Sequence, residues 1–135
     1  MLKWIVAYLA SGLVYAAGDF TWISLTGAKL YRPVIGQLLA DRFDPKPGVV
    51  FYLIYATGIV AFAVAPGLRA GGWTRSLRWG ALLGLVAYGT YDLTNQVTLK
   101  LWSTRITLID MAWGVAITAG AAAVGAAAAS TVAKP

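Results

Sequence analysis

Three aspartates lie inside apolar stretches of the sequence, where carboxyl groups are rare. Asp19, Asp92 and Asp110 each end a run of apolar and aromatic residues, in a chain with only five acidic residues in total. A carboxylate in hydrocarbon costs about 2.5–3.5 kcal/mol on insertion scales, so such a group normally faces a helix-bundle interior, where it is paired, protonated or functional. These three aspartates are therefore the candidate catalytic residues.

The chemistry open to this set is narrow. The chain has no Cys and no His, which excludes disulfides, thiol catalysis, haem ligation by either residue and the usual zinc sites. Carboxylates held close together in a low dielectric cannot all ionise, so a protonated aspartate could act as an acid and an ionised neighbour as a base. The same cluster could instead carry protons, or hold Mg²⁺ with amide oxygens and waters. We assign no resident metal ion or cofactor to it.

Each aspartate has aromatic or amide companions at helical spacing. Tyr15, Asp19 and Trp22 follow the spacing i, i+4, i+7, which places side chains on one helix face, and the pattern recurs around Asp92. Asp110 begins a second copy of the Asp-x-x-Trp motif that starts at Asp19. The predicted ligand-binding residues, all aromatic or amide side chains at the depth of the aspartates, are Tyr15, Trp22, Tyr52, Tyr55, Tyr88, Asn95, Gln96 and Trp113.

Four apolar segments are positioned to carry these residues. The chain is 59% hydrophobic with a mean hydropathy of +0.70, and its 12% of charged residues is about half of what a soluble domain carries. Crossing a bilayer takes about 20 mostly apolar residues. We therefore predict an all-α integral membrane four-helix bundle. Its single transmembrane domain, residues 1–135, has spans at about residues 4–25, 49–66, 77–99 and 106–130.

The connection between the first two spans predicts a short amphipathic helix in the membrane interface. Apolar residues recur there at spacings of three and four, with charged residues between them, as in interfacial helices. Pro33 falls near the first turn of this helix, and Pro45–Pro47 are expected to end it. Its part around Ile35 should lie over the mouth of a pocket. The apolar residues of the stripe are Leu30, Tyr31, Val34, Ile35, Leu38, Leu39 and Phe43.

Depth counting places the three aspartates in one layer. Measured from the nearest span ends at about 1.5 Å per residue, they lie roughly 7–12 Å below the same membrane face. Inward-facing helices would then enclose a half-open pocket of carboxylates, phenols, amides and indoles. Alternatively, the aspartates pair with Lys100 and Arg105, or with tyrosine hydroxyls, and only hold the bundle together. The basic residues expected at the pocket rim are Arg32, Arg42, Lys46, Lys100 and Arg105.

The basic residues leave the orientation nearly balanced. They lie beside the spans, where they serve topology and lipid headgroups, so the net charge of +6 does not indicate a nucleic-acid partner. The arginines of the short second connection favour both termini inside, and a dual or inverted topology is the alternative. One side carries Lys3, Arg69, Arg75, Arg78 and Lys134, and the other carries Lys29, Arg32, Arg42, Lys46, Lys100 and Arg105.

Small residues in the last two predicted spans allow close helix contact. Gly80 and Gly84 form a Gly-xxx-Gly motif, and residues 116–129 are almost all Ala and Gly. Such residues let helix backbones approach closely. The contact is predicted within the bundle, with a homodimer face as the alternative.

The sequence resembles a family of small bacterial predicted membrane proteins that is catalogued only as a domain of unknown function. The resemblance is carried by residues 51–56, 80–95 and 109–114. The run Tyr-Gly-Thr-Tyr-Asp-Leu-Thr-Asn that ends at Asn95 is quite specific. The resemblance implies a bacterial four-span protein of the cytoplasmic (inner) membrane, and it supplies no catalytic role for Asp92 or Asp110. Members of this family are often encoded near lipid-modifying and flavin-dependent proteins, which favours a lipid-like ligand.

Three hypotheses follow for the function. The first is an integral membrane protein that binds or modifies a lipid-like or isoprenoid molecule, with Asp92 as the central acid, Asp19 and Asp110 tuning it, and Tyr88 and Asn95 orienting the ligand. The second is an accessory subunit of a larger membrane complex. The third is a small proton-coupled transporter. The expected partners are membrane lipids, a lipid-like ligand, and a second copy of the chain or a larger complex.

Overall fold

The computed structural model describes residues 1–42 and 44–133, and within them it is helical and contains no strand. The predicted all-α class is confirmed. Phe43, predicted for the amphipathic helix, and Lys134, counted for the orientation, lie outside the described residues. The α-helices are α1 (Leu2–Thr26), α2 (Arg32–Ile35), α3 (Pro45–Ile59), α4 (Ala65–Ala70), α5 (Trp73–Thr98) and α6 (Thr104–Val132).

The predicted amphipathic helix is a continuation of α1. The chain passes from α1 through a π-helical turn, Gly27–Tyr31, directly into α2, and a 3₁₀ turn at Gly36–Leu38 ends the helical stretch. A π-helical turn inserts an extra residue per turn and is frequent at functional sites. The turn therefore changes the helical register of the side chains that follow it.

The prediction that Pro45–Pro47 end the amphipathic helix is wrong, because these residues begin α3. The Asp44 side chain caps α3 by accepting a hydrogen bond from the Lys46 backbone N–H at 3.0 Å. Proline suits the first helical turn, where its missing N–H would have no partner. A second π-helical turn, Val60–Val64, joins α3 to α4. The resulting 26-residue helix, Pro45–Ala70, extends beyond the predicted span at both ends.

Short connections join α4 to α5 and α5 to α6. Gly71 and Gly72, with φ of 132° and 95°, form the turn between α4 and α5, and only glycine adopts such angles readily. At the start of α6, the Ser103 hydroxyl accepts a hydrogen bond from the Ile106 backbone N–H at 3.3 Å. This is the usual role of serine at a helix N-cap.

Helices α5 and α6 approach closely through glycines. A Cβ added to Gly80 would lie 2.8 Å from the Ala122 Cβ, and one added to Gly84 would overlap the Gly114 carbonyl. Small residues of this kind let two helix backbones approach closely and increase their van der Waals contact. The Gly-xxx-Gly motif therefore packs within the bundle, which is the first of the two roles predicted for it.

The core is formed by α1, by the end of α3 with the π-helical turn after it, and by α6. On α1, Ala7, Ser11 and Tyr15 repeat every four residues and are all buried. Ser11 packs so closely on Gly125 of α6 that a Cβ there would overlap its hydroxyl. The apolar core is made of Ala7, Tyr15, Ile59, Ala63, Val64, Ile117, Ala121, Ala122, Ala126 and Ala129.

The outer surface of the bundle is strongly apolar. Leu13 of α1, Ile54 of α3, Val86 of α5 and Leu108 of α6 are each more than half exposed, a pattern that soluble monomers rarely show. Two helices, Pro45–Ala70 and Thr104–Val132, are long and apolar enough to cross a membrane. These two candidate spans support membrane association, while the first and third predicted spans remain predictions.

Replacing Gly114 with alanine should destabilise the fold, because the added Cβ would overlap the ring of Tyr88. Overpacking of this kind costs about 1–3 kcal/mol, so the melting temperature in detergent should fall. Gly120→Ala on the same helix is the matched control, since its Cβ would meet no atom within 4 Å. Equal melting temperatures for the two variants would contradict the proposed close contact.

Candidate functional site

A cavity of about 990 Å³ opens among α1, the first connection, α3, α5 and α6. Its volume is at the upper end of the range for small-molecule sites, about 300–1,000 Å³. Most of the wall is aromatic or aliphatic, and three charged side chains enter it. The lining residues are Tyr15, Asp19, Trp22, Ile23, Gly27, Ala28, Tyr31, Arg32, Ile35, Leu39, Phe51, Tyr55, Ala87, Tyr88, Tyr91 and Asp110.

Asp19 connects three helices through tyrosine hydroxyls. The Tyr52 hydroxyl of α3 donates to one carboxylate oxygen at 2.8 Å, and the Tyr88 hydroxyl of α5 donates to the other at 3.4 Å. The Tyr15 and Tyr88 hydroxyl oxygens are 2.6 Å apart. Hydrogen bonds to an ionised acceptor are about twice as strong as neutral ones. This network holds Asp19 at the cavity wall.

Asp110 is held by the π-helical turn that follows α1. The Tyr31 hydroxyl donates to the Asp110 carboxylate, and it accepts a hydrogen bond from the Trp22 indole at 2.9 Å. Burial raises the pKa of the Tyr31 hydroxyl above its ordinary value, so Tyr31 remains a neutral donor at physiological pH. The turn therefore carries the side chain that fixes the second carboxylate of the cavity.

The two Asp-x-x-Trp motifs pack against each other. The rings of Trp22 and Trp113 stack with centroids 4.7 Å apart and planes 5° from parallel. Gly18 permits this contact between α1 and α6, because a Cβ there would overlap Ile117. The indole nitrogen of Trp113 is buried without a hydrogen-bond partner among the described residues. The repeated motif thus brings a carboxylate from each helix into one cavity.

Asp92, the predicted central acid, lies behind the cavity rather than in its wall. Its side chain is fully buried, and neither carboxyl oxygen has a hydrogen-bond partner within residues 1–42 and 44–133. The carboxyl group of Asp110 is its charged neighbour. An unpaired buried carboxylate would cost several kcal/mol. We therefore expect Asp92 to be neutral and Asp110 to be the carboxylate that faces the cavity.

The remaining predicted ligand-binding residues divide between the cavity and local contacts. Tyr55 lines the cavity, and its hydroxyl lies 3.0 Å from the Thr118 hydroxyl. Gln96 instead joins the end of α5 to the start of α6: it accepts a hydrogen bond from Thr107 at 2.7 Å and donates to Thr104 at 2.8 Å. The predicted residues outside the cavity lining are Tyr52, Asp92, Asn95, Gln96 and Trp113.

The partners of the cavity carboxylates are phenols rather than cations. Lys100 and Arg105, the cations considered for pairing, are exposed, whereas Asp19 and Asp110 accept hydrogen bonds from tyrosines. Arg32, one of the predicted rim residues, contributes to the cavity wall. Sequence reasoning placed the first connection over the mouth but gave its tyrosine no role in the site. The lining residues that it missed are Ile23, Gly27, Ala28, Phe51, Ala87 and Tyr91, and it named Tyr31 and Leu39 only as part of the apolar stripe.

If Asp92 is neutral, infrared spectra at neutral pH in an ester-free detergent should show the carbonyl stretch of a protonated carboxyl group. Asp92→Asn should remove this band with little change in melting temperature, because the amide matches a neutral acid in size. Asp44→Asn, at the exposed cap of α3, should leave the band in place. A wild-type spectrum without it would show that Asp92 is ionised.

Comparison with known proteins identifies a family but no characterised relative. A family described as "Predicted membrane protein (DUF2177)" matches residues 4–127, which include all the cavity residues. Neither the curated proteins nor the solved structures contain a significant match. The match covers nearly the whole chain and agrees with the resemblance seen in the sequence. The chain belongs to this family of predicted membrane proteins of unknown function.

Proposed function

We propose that the protein binds, and in one form of the hypothesis modifies, a lipid-like or isoprenoid small molecule within the membrane. The observation that carries this proposal is the cavity of about 990 Å³, in which two carboxyl groups and Arg32 enter a mostly aromatic and apolar space. Pockets of this kind, with few convergent polar groups on apolar walls, are typical of small-molecule sites.

The walls suit an amphipathic molecule. Ile23, Ile35 and Phe51 offer apolar surface, while Tyr88 and Asp19 offer polar atoms on the same cavity. Tyrosine and tryptophan combine a large apolar ring with one polar group, so they bind molecules that have both kinds of surface. A wholly apolar ligand would contribute no polar group, so the carboxyl groups would keep only the hydrogen bonds that the tyrosines donate.

The first connection supports access from the membrane interface. Ala28, Arg32 and Leu39 belong to this connection and form part of the cavity wall. Interfacial helical segments lie at the boundary between headgroups and acyl chains. A molecule that enters beside this segment can keep its polar end near the interface and its apolar part among the helices.

The same proposal includes a four-span topology in the bacterial inner membrane. Its support is the apolar outer surface, which includes Leu13 on α1 and Val86 on α5 in addition to the two candidate spans. With four spans, the first and third connections lie on one side of the membrane, and the connection between α4 and α5 lies on the other.

Cysteine labelling tests this topology, because the chain has no native Cys. Arg42→Cys and Lys100→Cys should react with a membrane-impermeant maleimide from the same side, and Arg69→Cys should react from the opposite side. All three positions are exposed. Labelling of all three from one side of intact cells would contradict the four-span arrangement.

A bulky residue in the cavity should displace the ligand. Ala87→Trp would place an indole inside the lined space, so native mass spectrometry should show loss of most co-purifying lipid-like mass. Ala127→Trp is the matched control, because this alanine is exposed on α6 and outside the cavity. Lipid extracts from cells that produce each variant provide the second readout.

The outcomes of these binding experiments distinguish lipid binding from the two alternative functions. Wild-type protein without bound small molecules, but with a stable protein partner in gentle detergent, would favour the accessory subunit. Cation uptake by proteoliposomes driven by a pH gradient would favour the transporter. Equal retention of lipid by Ala87→Trp and Ala127→Trp would contradict binding in this cavity.

A further inference from the structure

We propose that the cavity takes the headgroup of a zwitterionic aminophospholipid, with its ammonium group at the carboxylates and its phosphate at Arg32. This inference rests on the proposed function, because it names the class of lipid that the same cavity would bind. It follows from the placement of opposite charges around one cavity: Asp19 and Asp110 lie among aromatic rings, and Arg32 of the first connection lies in the same cavity wall.

The carboxylate end of the cavity is built for an organic cation. Asp19 and Asp110 both line it, together with the rings of Tyr15, Tyr55 and Tyr88. Aromatic faces attract ammonium groups through their quadrupole, and the attraction is strongest where water is excluded. The two acids take their hydrogen bonds from phenols rather than from lysine or arginine, so their negative charge is available to a ligand.

The arginine end is built for a phosphate. Arg32 is the first residue of α2 and directly follows Tyr31, whose hydroxyl bonds to Asp110. Arg32 also lines a second recess of about 580 Å³, which shares Ala28 and Leu39 with the main cavity and has the exposed carboxylate Asp41 as its other charged residue. Its planar guanidinium can bind two phosphate oxygens at once. The wall residues common to both recesses therefore connect a position that can bind phosphate with the part of the cavity that the carboxylates line.

Charge matching selects one class of lipid over its alternatives. An anionic phospholipid without an amine would place no cation near Asp19 and Asp110, and an isoprenoid alcohol would bring neither a cation to the carboxylates nor an anion to Arg32. A simple organic cation would bring no anion to Arg32, whose exposed side chain is accessible to a phosphate. A molecule with both an ammonium and a phosphate matches the charges at the two ends. The apolar walls then favour the lipid over the free headgroup, because acyl chains can cover Ile35 and Phe51.

Native mass spectrometry of the purified chain can measure this selectivity directly. The protein in detergent is titrated with phosphatidylethanolamine, with phosphatidylglycerol of the same acyl chains, and with water-soluble phosphoethanolamine. We expect phosphatidylethanolamine to bind at least about tenfold more tightly than the other two. Tenfold corresponds to about 1.4 kcal/mol, which is close to the contribution of one hydrogen bond to a charged group.

Charge-specific variants identify the two ends of the ligand. Arg32→Gln should weaken phosphatidylethanolamine binding about tenfold, whereas Arg42→Gln, an exposed arginine outside both recesses, should not. Asp110→Asn should abolish the preference for phosphatidylethanolamine over phosphatidylglycerol while some lipid binding remains. A purely structural role for Asp110 would lower the affinity for both lipids equally.

The failures of the two proposals are distinguishable. Equal affinity for phosphatidylethanolamine and phosphatidylglycerol in the wild type would overturn the headgroup assignment and leave lipid binding standing. Binding of phosphoethanolamine as tightly as of the intact lipid would show that the free headgroup is the ligand. Binding of no lipid at all would overturn both proposals, and an unchanged affinity in Arg32→Gln would remove the phosphate position.

Discussion

Carboxyl groups placed between apolar helices must find hydrogen-bond donors, and in this bundle tyrosine hydroxyls supply them. Tyr52 and Tyr88 bond to Asp19, and Tyr31 bonds to Asp110. Because each donor comes from a different segment, the carboxylates connect α1, α3, α5, α6 and the first connection. Phenols satisfy the acids without neutralising their charge, which a lysine or arginine would do. The cavity can therefore keep negative groups in an aromatic wall.

Small residues make this arrangement geometrically feasible. Gly114 lies against the ring of Tyr88, and Gly18 lies against Ile117 beside the Trp22–Trp113 stack. Larger residues at either position would push α1 or α5 away from α6. The close helix contacts and the tyrosine network therefore depend on each other: the glycines bring the helices together, and the phenol–carboxylate bonds fix which faces meet.

Helical spacing predicted part of the site because it reports which side chains share a face. Tyr15, Asp19 and Trp22 were grouped by their spacing on one helix, and all three line the cavity. The spacing of Tyr88, Asp92 and Asn95 grouped them equally well. In the structure, however, only Tyr88 reaches the cavity, since α5 turns Asp92 toward Asp110 and the bundle interior. Spacing within one helix does not say how far that helix is rotated against its neighbours.

The contribution of the first connection was the hardest part to predict. Its apolar stripe and its place over the pocket mouth could be inferred from periodicity, whereas the π-helical turn at Gly27–Tyr31 has no comparable pattern. That turn determines that Tyr31 points at Asp110 and that Arg32 enters the cavity wall. Pro45–Pro47 were likewise ambiguous, because proline both follows helix ends and occupies first turns. The Asp44 cap shows that they begin α3.

The central claim is that Asp19, Asp110 and their tyrosines surround a ligand rather than only one another. An experimental structure of the protein, determined in a lipid environment without added detergent, tests it most directly. The account predicts elongated density in the cavity, with one end between Asp19 and Asp110 and the other leading past Arg32. A cavity closed by side chains, with the carboxylates contacting only the tyrosines, would contradict it.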